Sequence, residues 1–292
     1  MTLLLSRTYR RVRCFVFLGI PWIIACLSMA SAHAEPLASS TEPPPGTAER
    51  QLPSLFGDKT EVTIGLGPVG MPRYPGAKES HVSVLPTLSV YRGIFFLDSL
   101  RGVGVEYLTD TGTYISAALG YDFGRTDRDS DWRPGSKRLA GMGEIEGSTI
   151  VSVLAAQQIT SWLSVNGDAD FRVGGQRGRG NRYRLGLEAT LLDGERDEIR
   201  LGVNAHAGSR DYNRTWFGVS AAQSQRSRFA AFAPKSGMYA HSLTVDWIRD
   251  LDSHWSVLAG IDVMRFGDEA GRSPVVEKRT GVTGTLMINY TF

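Results

Sequence analysis

The residues best suited to chemistry are charged side chains that recur at alternating positions in the second half of the chain. Acids and arginines are both present, on neighbouring segments. On one face of a sheet they could line a solute channel, whose selectivity their mixed charge would set, or they could pair with one another. We favour pairing, because an unpaired buried charge costs several kcal/mol. The candidates are Asp168, Asp170, Arg172, Arg182, Arg184, Glu188, Arg200, Asp246 and Asp262.

Two further constellations could indicate an enzyme or a metal site. A hydrolase needs a serine, a histidine and an orienting amide or acid, and Ser242, His206 and Asn204 fall on neighbouring predicted faces. The sequence has no nucleophile-elbow motif, so we predict a protein without catalytic residues. The acids at 127–131 have the spacing that opens a calcium loop, but Trp132 occupies the position that requires glycine. We therefore predict a solvated loop, no metal and no cofactor.

Composition excludes several other classes of protein. The chain has 292 residues, of which 42% are hydrophobic and 21% charged, as is typical of a folded protein. Its net charge of +2 argues against a nucleic-acid binder that works by bulk electrostatics. The only cysteines are Cys14 and Cys26, so the rest of the chain can hold neither a disulfide nor a cysteine-bound zinc ion.

The first residues have the pattern of an export signal. Arginines from Arg7 to Arg13 precede an apolar run that ends near Ala30, and Ala32-His33-Ala34 follows as a cleavage motif. We predict a signal peptide at 1–34, cleaved between Ala34 and Glu35. A membrane anchor and a lipid attached to Cys26 are alternatives. Residues 35–58, which contain three consecutive prolines, predict a disordered periplasmic lead-in.

Apolar and polar residues alternate through segments whose length, about ten residues, suits a tilted strand that crosses a bilayer. In the last segment, Gly284, Leu286, Ile288, Tyr290 and Phe292 alternate with mostly polar residues. Short connections alternate with long polar ones, as in barrels with tight periplasmic turns and long outer loops. The sequence therefore predicts that residues 59–292 form an all-β transmembrane antiparallel barrel in the outer membrane of a Gram-negative bacterium.

Counting these segments gives twelve strands, which places both termini in the periplasm and every long loop outside. Ten strands is the alternative, because the third and fourth segments are joined by a very short outer turn. Aromatic residues near strand ends predict the membrane-interface girdles: Tyr183, Tyr239, Trp247, Trp255, Tyr290 and Phe292. The predicted strands are 60–67, 81–91, 93–98, 101–108, 113–122, 149–159, 162–172, 182–192, 197–208, 238–248, 254–264 and 280–292.

Basic residues are concentrated in the predicted outer loops. The planar guanidinium group of arginine binds phosphate, so contact with lipopolysaccharide is one interpretation and ordinary loop solubility the other. The residues are Arg125, Arg128, Arg133, Lys137, Arg138, Arg177, Arg179, Arg210, Arg214, Arg226 and Arg228.

Several short motifs follow one another in a fixed order along the chain: Gly70–Gly76, Tyr91–Phe96, Gly120–Arg125, Leu139–Ile145, Trp216–Ser220 and Arg265–Ala270. This ordered series resembles the MipA/OmpV family of outer-membrane proteins, named for an MltA-interacting protein. Residues 131–135 depart from the family pattern and resemble an insertion in an outer loop. Tyr290 and Phe292 resemble the terminal signal by which the barrel-assembly machinery recognises its clients. The family positions within these motifs include Tyr74, Gly76, Tyr91, Gly93, Gly124, Arg125, Gly141 and Gly143.

The resemblance implies a function that the periodicity does not show. One family member is a scaffold that holds the lytic transglycosylase MltA near a bifunctional penicillin-binding protein during murein growth. Other members are described as porin-like channels or as adhesins. The resemblance therefore predicts a murein scaffold, with a small-solute channel and a surface adhesin as the alternatives.

Overall fold

The computed structural model describes residues 55–174 and 179–292. It contains a closed barrel in which each strand pairs with its sequence neighbour and the first strand pairs with the last. The predicted total of twelve antiparallel strands is confirmed, and the ten-strand alternative is excluded. The strands are β1 (Thr60–Pro72), β2 (Ser80–Arg92), β3 (Phe95–Asp98), β4 (Gly102–Leu108), β5 (Thr113–Asp122), β6 (Ser148–Gln158), β7 (Leu163–Arg172), β8 (Arg182–Asp193), β9 (Asp197–Gly208), β10 (Gly237–Asp250), β11 (Trp255–Phe266) and β12 (Thr280–Thr291).

The alternation of residue types produces two different surfaces. Large apolar side chains point outward from the strands and are exposed, for example Leu66, Val84, Leu187 and Leu286. An apolar surface of this extent is stable in lipid and not in water, so it forms the membrane-facing band. Among the described residues, no helix is both long enough and apolar enough to cross a bilayer.

The two ends of the barrel differ in their connections. Short turns and the C-terminus lie at one end, which we call the turn end, and long loops lie at the other, which we call the loop end. In outer-membrane barrels the turn end is periplasmic. The Tyr290 ring packs at the turn end, with its centroid 4.9 Å from that of Trp255 and 4.8 Å from that of Phe292.

The first strand is longer than predicted. The sequence pattern ended it at Gly67, but it continues through Pro68 to Pro72. Pro68 lacks an N–H and interrupts the pairing of β1 with β12, which resumes at Val69. The pairing of β1 with β2 is continuous through Pro68, and it holds the strand together.

Tyr239 is not a girdle residue, contrary to the prediction. A register shift between Met238 and Ala240 on β10 turns its side chain away from the membrane. The side chain is buried, with 5% exposed, and its ring lies 5.4 Å from the ring of Phe217. The extra residue shifts the alternation by one position, so Met238 points outward whereas Ala240, Ser242 and the following even-numbered residues point inward.

The last residues of the predicted lead-in contact the barrel. The Phe56 ring stacks on Phe95 at 5.5 Å, and the Ile94 N–H donates to the Leu55 carbonyl. The predicted signal peptide, its cleavage site at Ala34 and Glu35, and lead-in residues 35–54 lie outside the described residues.

The loop end contains helices that the alternation pattern did not predict. They are α1 (Arg210–Phe217), α2 (Ala221–Arg226) and α3 (Asp268–Gly271), and a short 3₁₀ helix covers Lys137–Leu139. The loops had been predicted from their polarity, yet they carry enough large apolar residues to form a core of their own.

Candidate functional site

Helix α1 closes the loop end of the lumen. Ser209 caps its first turn by accepting a hydrogen bond from the Tyr212 N–H at 3.3 Å, and the helix ends at Gly218. Tyr212 and Trp216 are four residues apart and therefore share one face, which is buried. Phe217 packs on Phe266 at 5.6 Å. These rings form the first apolar cluster: Ile145, Tyr212, Trp216, Phe217, Tyr239, Ala240, Phe266 and Ala270.

A second apolar cluster joins the other outer loops. Tyr74, a family position, is fully buried in it. Its hydroxyl donates to the Val275 carbonyl at 3.3 Å and to Glu277 Oε2 at 3.1 Å, and burial, with a smaller contribution from Glu277, raises the pKa of Tyr74. The second apolar cluster consists of Tyr74, Ala77, Leu139, Met142, Val219, Phe229 and Val275. We call the two clusters together the cap.

Arg125, another family position, connects the cap to the β5–β6 loop. Its side chain is 2% exposed, and Nη1 donates to the Trp216 carbonyl at 3.0 Å. Burial lowers the pKa of Arg125 to about 10, so the guanidinium is still charged at neutral pH. Arg125 therefore fixes α1 and is not available to bind phosphate.

Gly124 makes this arrangement possible. Its φ is +70°, and a Cβ at this position would overlap the Ile145 carbonyl oxygen. The other family positions lie in loops and turns or face the lumen. Gly76, Gly141 and Gly143 lie in the outer loops, Gly93 lies in the β2–β3 turn, and Tyr91 is buried with its ring 6.2 Å from Phe96.

Gly124→Ala is expected to lower the free energy of unfolding by about 1–3 kcal/mol, because it adds a left-handed backbone penalty and a steric overlap. Urea unfolding in detergent, followed by tryptophan fluorescence, measures the change. Gly284→Ala is the matched control, since a Cβ there meets nothing within 4 Å. If both substitutions have the same small effect, Gly124 does not hold the β5–β6 loop in place.

Ion pairs fill the side of the lumen formed by β7, β8 and β9. Arg182 Nη2 lies 2.7 Å from Asp170 and 3.3 Å from Asp168, and Arg184 also pairs with Asp168. Arg200 lies 3.5 Å from Glu188 and 3.5 Å from Glu198. Glu198 was missed in the sequence, although it alternates with Arg200 on the same inward face.

Three residues of the predicted charge network have different surroundings from those expected. Arg172 pairs with Asp122 at the end of β5, and Arg179 joins the same carboxylate at 3.1 Å. Asp246 and Asp262 face the lumen, but neither has an ion pair with any described residue. Asp246 is opposite Arg200 on β9, whose guanidinium is engaged by Glu188 and Glu198.

The candidate catalytic residues are close together but are not arranged as a triad. His206 Nε2 lies 3.0 Å from Ser242 Oγ. Asn204 Nδ2 donates to Ser242 at 3.4 Å, not to the histidine, and His206 Nδ1 has no hydrogen-bond partner among the described residues. A triad needs that second ring nitrogen to be held by an orienting group.

A cavity of about 320 Å³ occupies the opposite side of the lumen. It extends from Glu195 at the turn end to residues 131–134 of the β5–β6 loop, with β1, β2 and β12 on one side and β9, β10 and β11 on the other. A separate cavity of about 90 Å³ lies beneath α1. The long cavity therefore reaches the periplasmic end of the barrel, whereas the cap covers the outer end.

The outer-loop basic residues fall into two groups. Arg179 is buried like Arg125, and Arg133 and Arg138 pair with Glu144 and Glu277. The Arg226 guanidinium donates to the Gly141 carbonyl, and Arg177 lies outside the described residues. Arg128, Lys137, Arg210, Arg214 and Arg228 are exposed.

The calcium-like segment is held by the protein itself. Asp129 accepts a hydrogen bond from the Lys137 N–H at 2.9 Å, which lowers the pKa of Asp129. Within 55–174 and 179–292, no group of three or more histidine, cysteine or acidic residues could hold a metal ion.

The family model for "MltA-interacting protein MipA" matches residues 64–292. No curated protein matches the chain. Among solved structures, the COG4313 outer membrane channel of Pseudomonas putida F1 is 11% identical, with a TM-score of 0.46 over 82% of this chain and 99% of that one. The translocator domain of NalP from Neisseria meningitidis is 11% identical, with a TM-score of 0.40 over 82% and 91%. The anion-selective porin of Comamonas acidovorans is 10% identical, with a TM-score of 0.33 over 80% and 100%.

Proposed function

Because the chain belongs to the MipA family, we propose that it is a non-catalytic outer-membrane scaffold for murein-processing enzymes. In this proposal its periplasmic face binds an MltA-like lytic transglycosylase and holds it near a bifunctional penicillin-binding protein. The barrel supplies a fixed position in the membrane, and the bound enzyme supplies the chemistry.

The packed cap is the observation that carries this proposal. Both apolar clusters and the buried Arg125 lie at the loop end, where a porin keeps an open mouth. A barrel that is closed on the outside and has short turns on the inside is better suited to hold a periplasmic partner than to pass solutes.

The β6–β7 turn offers an exposed apolar surface at the turn end. Ile159 is 57% exposed and Trp162 is 54% exposed. Aromatic and aliphatic side chains of this kind are common anchors in protein interfaces. We assign the docking surface to this turn, which lies outside the strands and is available to a periplasmic partner.

A detergent pull-down tests the proposal with full-length protein as bait and a purified MltA-like lytic transglycosylase as prey. Wild-type protein is expected to retain the enzyme, and the double variant Ile159→Ser/Trp162→Ser is expected to lose at least about tenfold in affinity. Trp132→Ser is the matched control, because Trp132 is 60% exposed but lies at the loop end. If wild-type protein fails to retain the enzyme, the scaffold role is contradicted.

A further inference from the structure

The barrel wall is incomplete in its outer half. Strand β3 has four residues, and it pairs only with residues 89–92 of β2 and 102–105 of β4. Above this hairpin, residues 80–87 of β2 have no strand on that side, and in the described chain no pairing joins β2 to β5. At the hairpin the two strands are three inter-strand spacings apart, or about 14 Å. We call this gap the lateral window.

The free edge of β2 is suited to this position. The Leu88 carbonyl accepts from the Ser99 N–H at 2.9 Å, so the backbone polar groups of Leu88 point toward β3. By strand alternation, those of Pro86, Val84 and Val82 point into the window. Proline has no N–H to leave unpaired, which is why it is tolerated at the edge of a sheet.

An open sheet edge at membrane depth is stable only where protein covers it or where it borders a cavity. Residues 131–134 lie beside this edge on the lumen side, against the inward face of β2, where Ser83 Oγ donates to the Asp131 carbonyl at 3.0 Å. Leu85 of β2 and the segment 131–134 also line the long cavity, so the window is where that cavity meets the membrane.

The cavity changes character along its length. Near the window its lining is mostly apolar, with Val69, Met71, Leu85, Leu100 and Phe123. A volume of about 320 Å³ is within the range of small-molecule sites, about 300–1,000 Å³. An apolar entrance next to the outer leaflet suits a hydrocarbon chain.

The far wall of the cavity carries two acids that have no ion pair with a described residue. Asp246 is only 7% exposed and lines the cavity, and the nearest positive charge that acts on it is Arg200 of β9. Asp262, which is hydrogen-bonded to Ser242, is diagonal to Asp246 on the next strand, since Asp246 is opposite Gly260 and Asp262 is opposite Thr244. His206 lies on the same wall, and its Nδ1 atom is buried and has no hydrogen-bond partner among the described residues.

The closeness of these two acids favours a cation. Asp246 and Asp262 both line the cavity on adjacent strands, and their like charges repel each other. A positively charged group placed between the two carboxylates would offset this repulsion.

We infer that the cavity binds a single-chain amphiphile with an ammonium head group, which enters from the outer leaflet through the lateral window. The head group lies between Asp246 and Asp262, and the chain lies along Leu85 and Val69 toward the window. Segment 131–134 covers the entrance and must move for the ligand to pass.

Titration calorimetry in lipid nanodiscs tests the site, with dodecyltrimethylammonium as probe and empty nanodiscs subtracted. Dodecyl sulfate and tetramethylammonium, which lack the cation and the chain respectively, are expected to bind at least about tenfold more weakly. The double variant Asp246→Asn/Asp262→Asn is expected to lower the affinity for dodecyltrimethylammonium by the same factor. Asp110→Asn is the control, because Asp110 is an exposed residue of a periplasmic turn, and it is expected to leave this affinity unchanged. Equal binding of all three probes, or an unchanged double variant, would overturn the inference.

A tethered variant tests the route. Residues 27–292 contain no cysteine, so Ser83→Cys/Asp131→Cys can form one disulfide across the contact that closes the window. Oxidation is expected to slow association of the probe about tenfold, and a reductant is expected to restore it. An unchanged rate would mean entry from the periplasm. A stable dimer that Val84→Pro abolishes would mean that a second copy covers the edge. Either result would overturn the lateral route.

Discussion

Deletion of residues 211–236 is expected to convert a barrel that passes no steady current into an open channel. Gly208 and Gly237 are direct cross-strand partners, so a short glycine turn can rejoin β9 and β10 without disturbing the register. The deletion removes Tyr212, Trp216 and Phe217 from the loop end, and with them most of the aromatic packing of the first cluster.

Single-channel recording in planar bilayers measures this effect. Wild-type protein is expected to show no steady steps, and the deletion variant is expected to show them in most insertions. Arg228→Ala, an exposed residue in the same loop, is the control and is expected to behave as wild type. Steady steps from the wild-type barrel would defeat the sealed-scaffold proposal and favour a solute channel.

Arg182→Ala is expected to lower the free energy of unfolding by about 3–5 kcal/mol, the loss typical of breaking a buried ion pair. Arg182 is 6% exposed and bridges Asp168 and Asp170 on the neighbouring strand. Its removal leaves Asp170 without an ion pair among the described residues, whereas Asp168 keeps Arg184.

Urea unfolding in detergent measures the change in the free energy of unfolding. The shift in gel mobility on heating is a second, independent measure of barrel stability. Arg249→Ala breaks an exposed pair with Asp197 and is expected to cost no more than about 1 kcal/mol. Adding Asp170→Asn to Arg182→Ala should recover part of the loss, because the stranded charge is removed. Equal effects of Arg182→Ala and Arg249→Ala would show that the lumen pairs are solvated and contribute little.

The sequence predicted the barrel because a membrane strand is a local pattern. Alternation along about ten residues identifies the outward face of each strand whatever its neighbours are. The short third strand was found for the same reason, since Phe95 and Leu97 alternate with Phe96 and Asp98. The prediction ended β1 too early because of Pro68. A proline disrupts pairing only with the strand toward which its backbone nitrogen points, and the sequence does not show which strand that is.

The partners of the lumen charges could be predicted only as a group. All nine predicted network residues face the lumen, but which acid meets which arginine depends on the register between strands. Arg172 pairs with Asp122, which lies fifty residues earlier on a strand two positions away, and no spacing in the sequence indicates this. Asp246 and Asp262 lack ion-pair partners among the described residues for the same reason.

Sequence alone determined the strand count, the inward and outward faces, and the resemblance to a family, because each depends on residue types at short, regular intervals. Only the tertiary structure decided that the outer loops pack into a cap, that the charges of β7, β8 and β9 are paired whereas Asp246 and Asp262 have no ion pair with a described residue, and that β3 is too short to complete the wall. These features depend on contacts between residues far apart in the chain, whose geometry is fixed only when the sheet closes and its strands take their register.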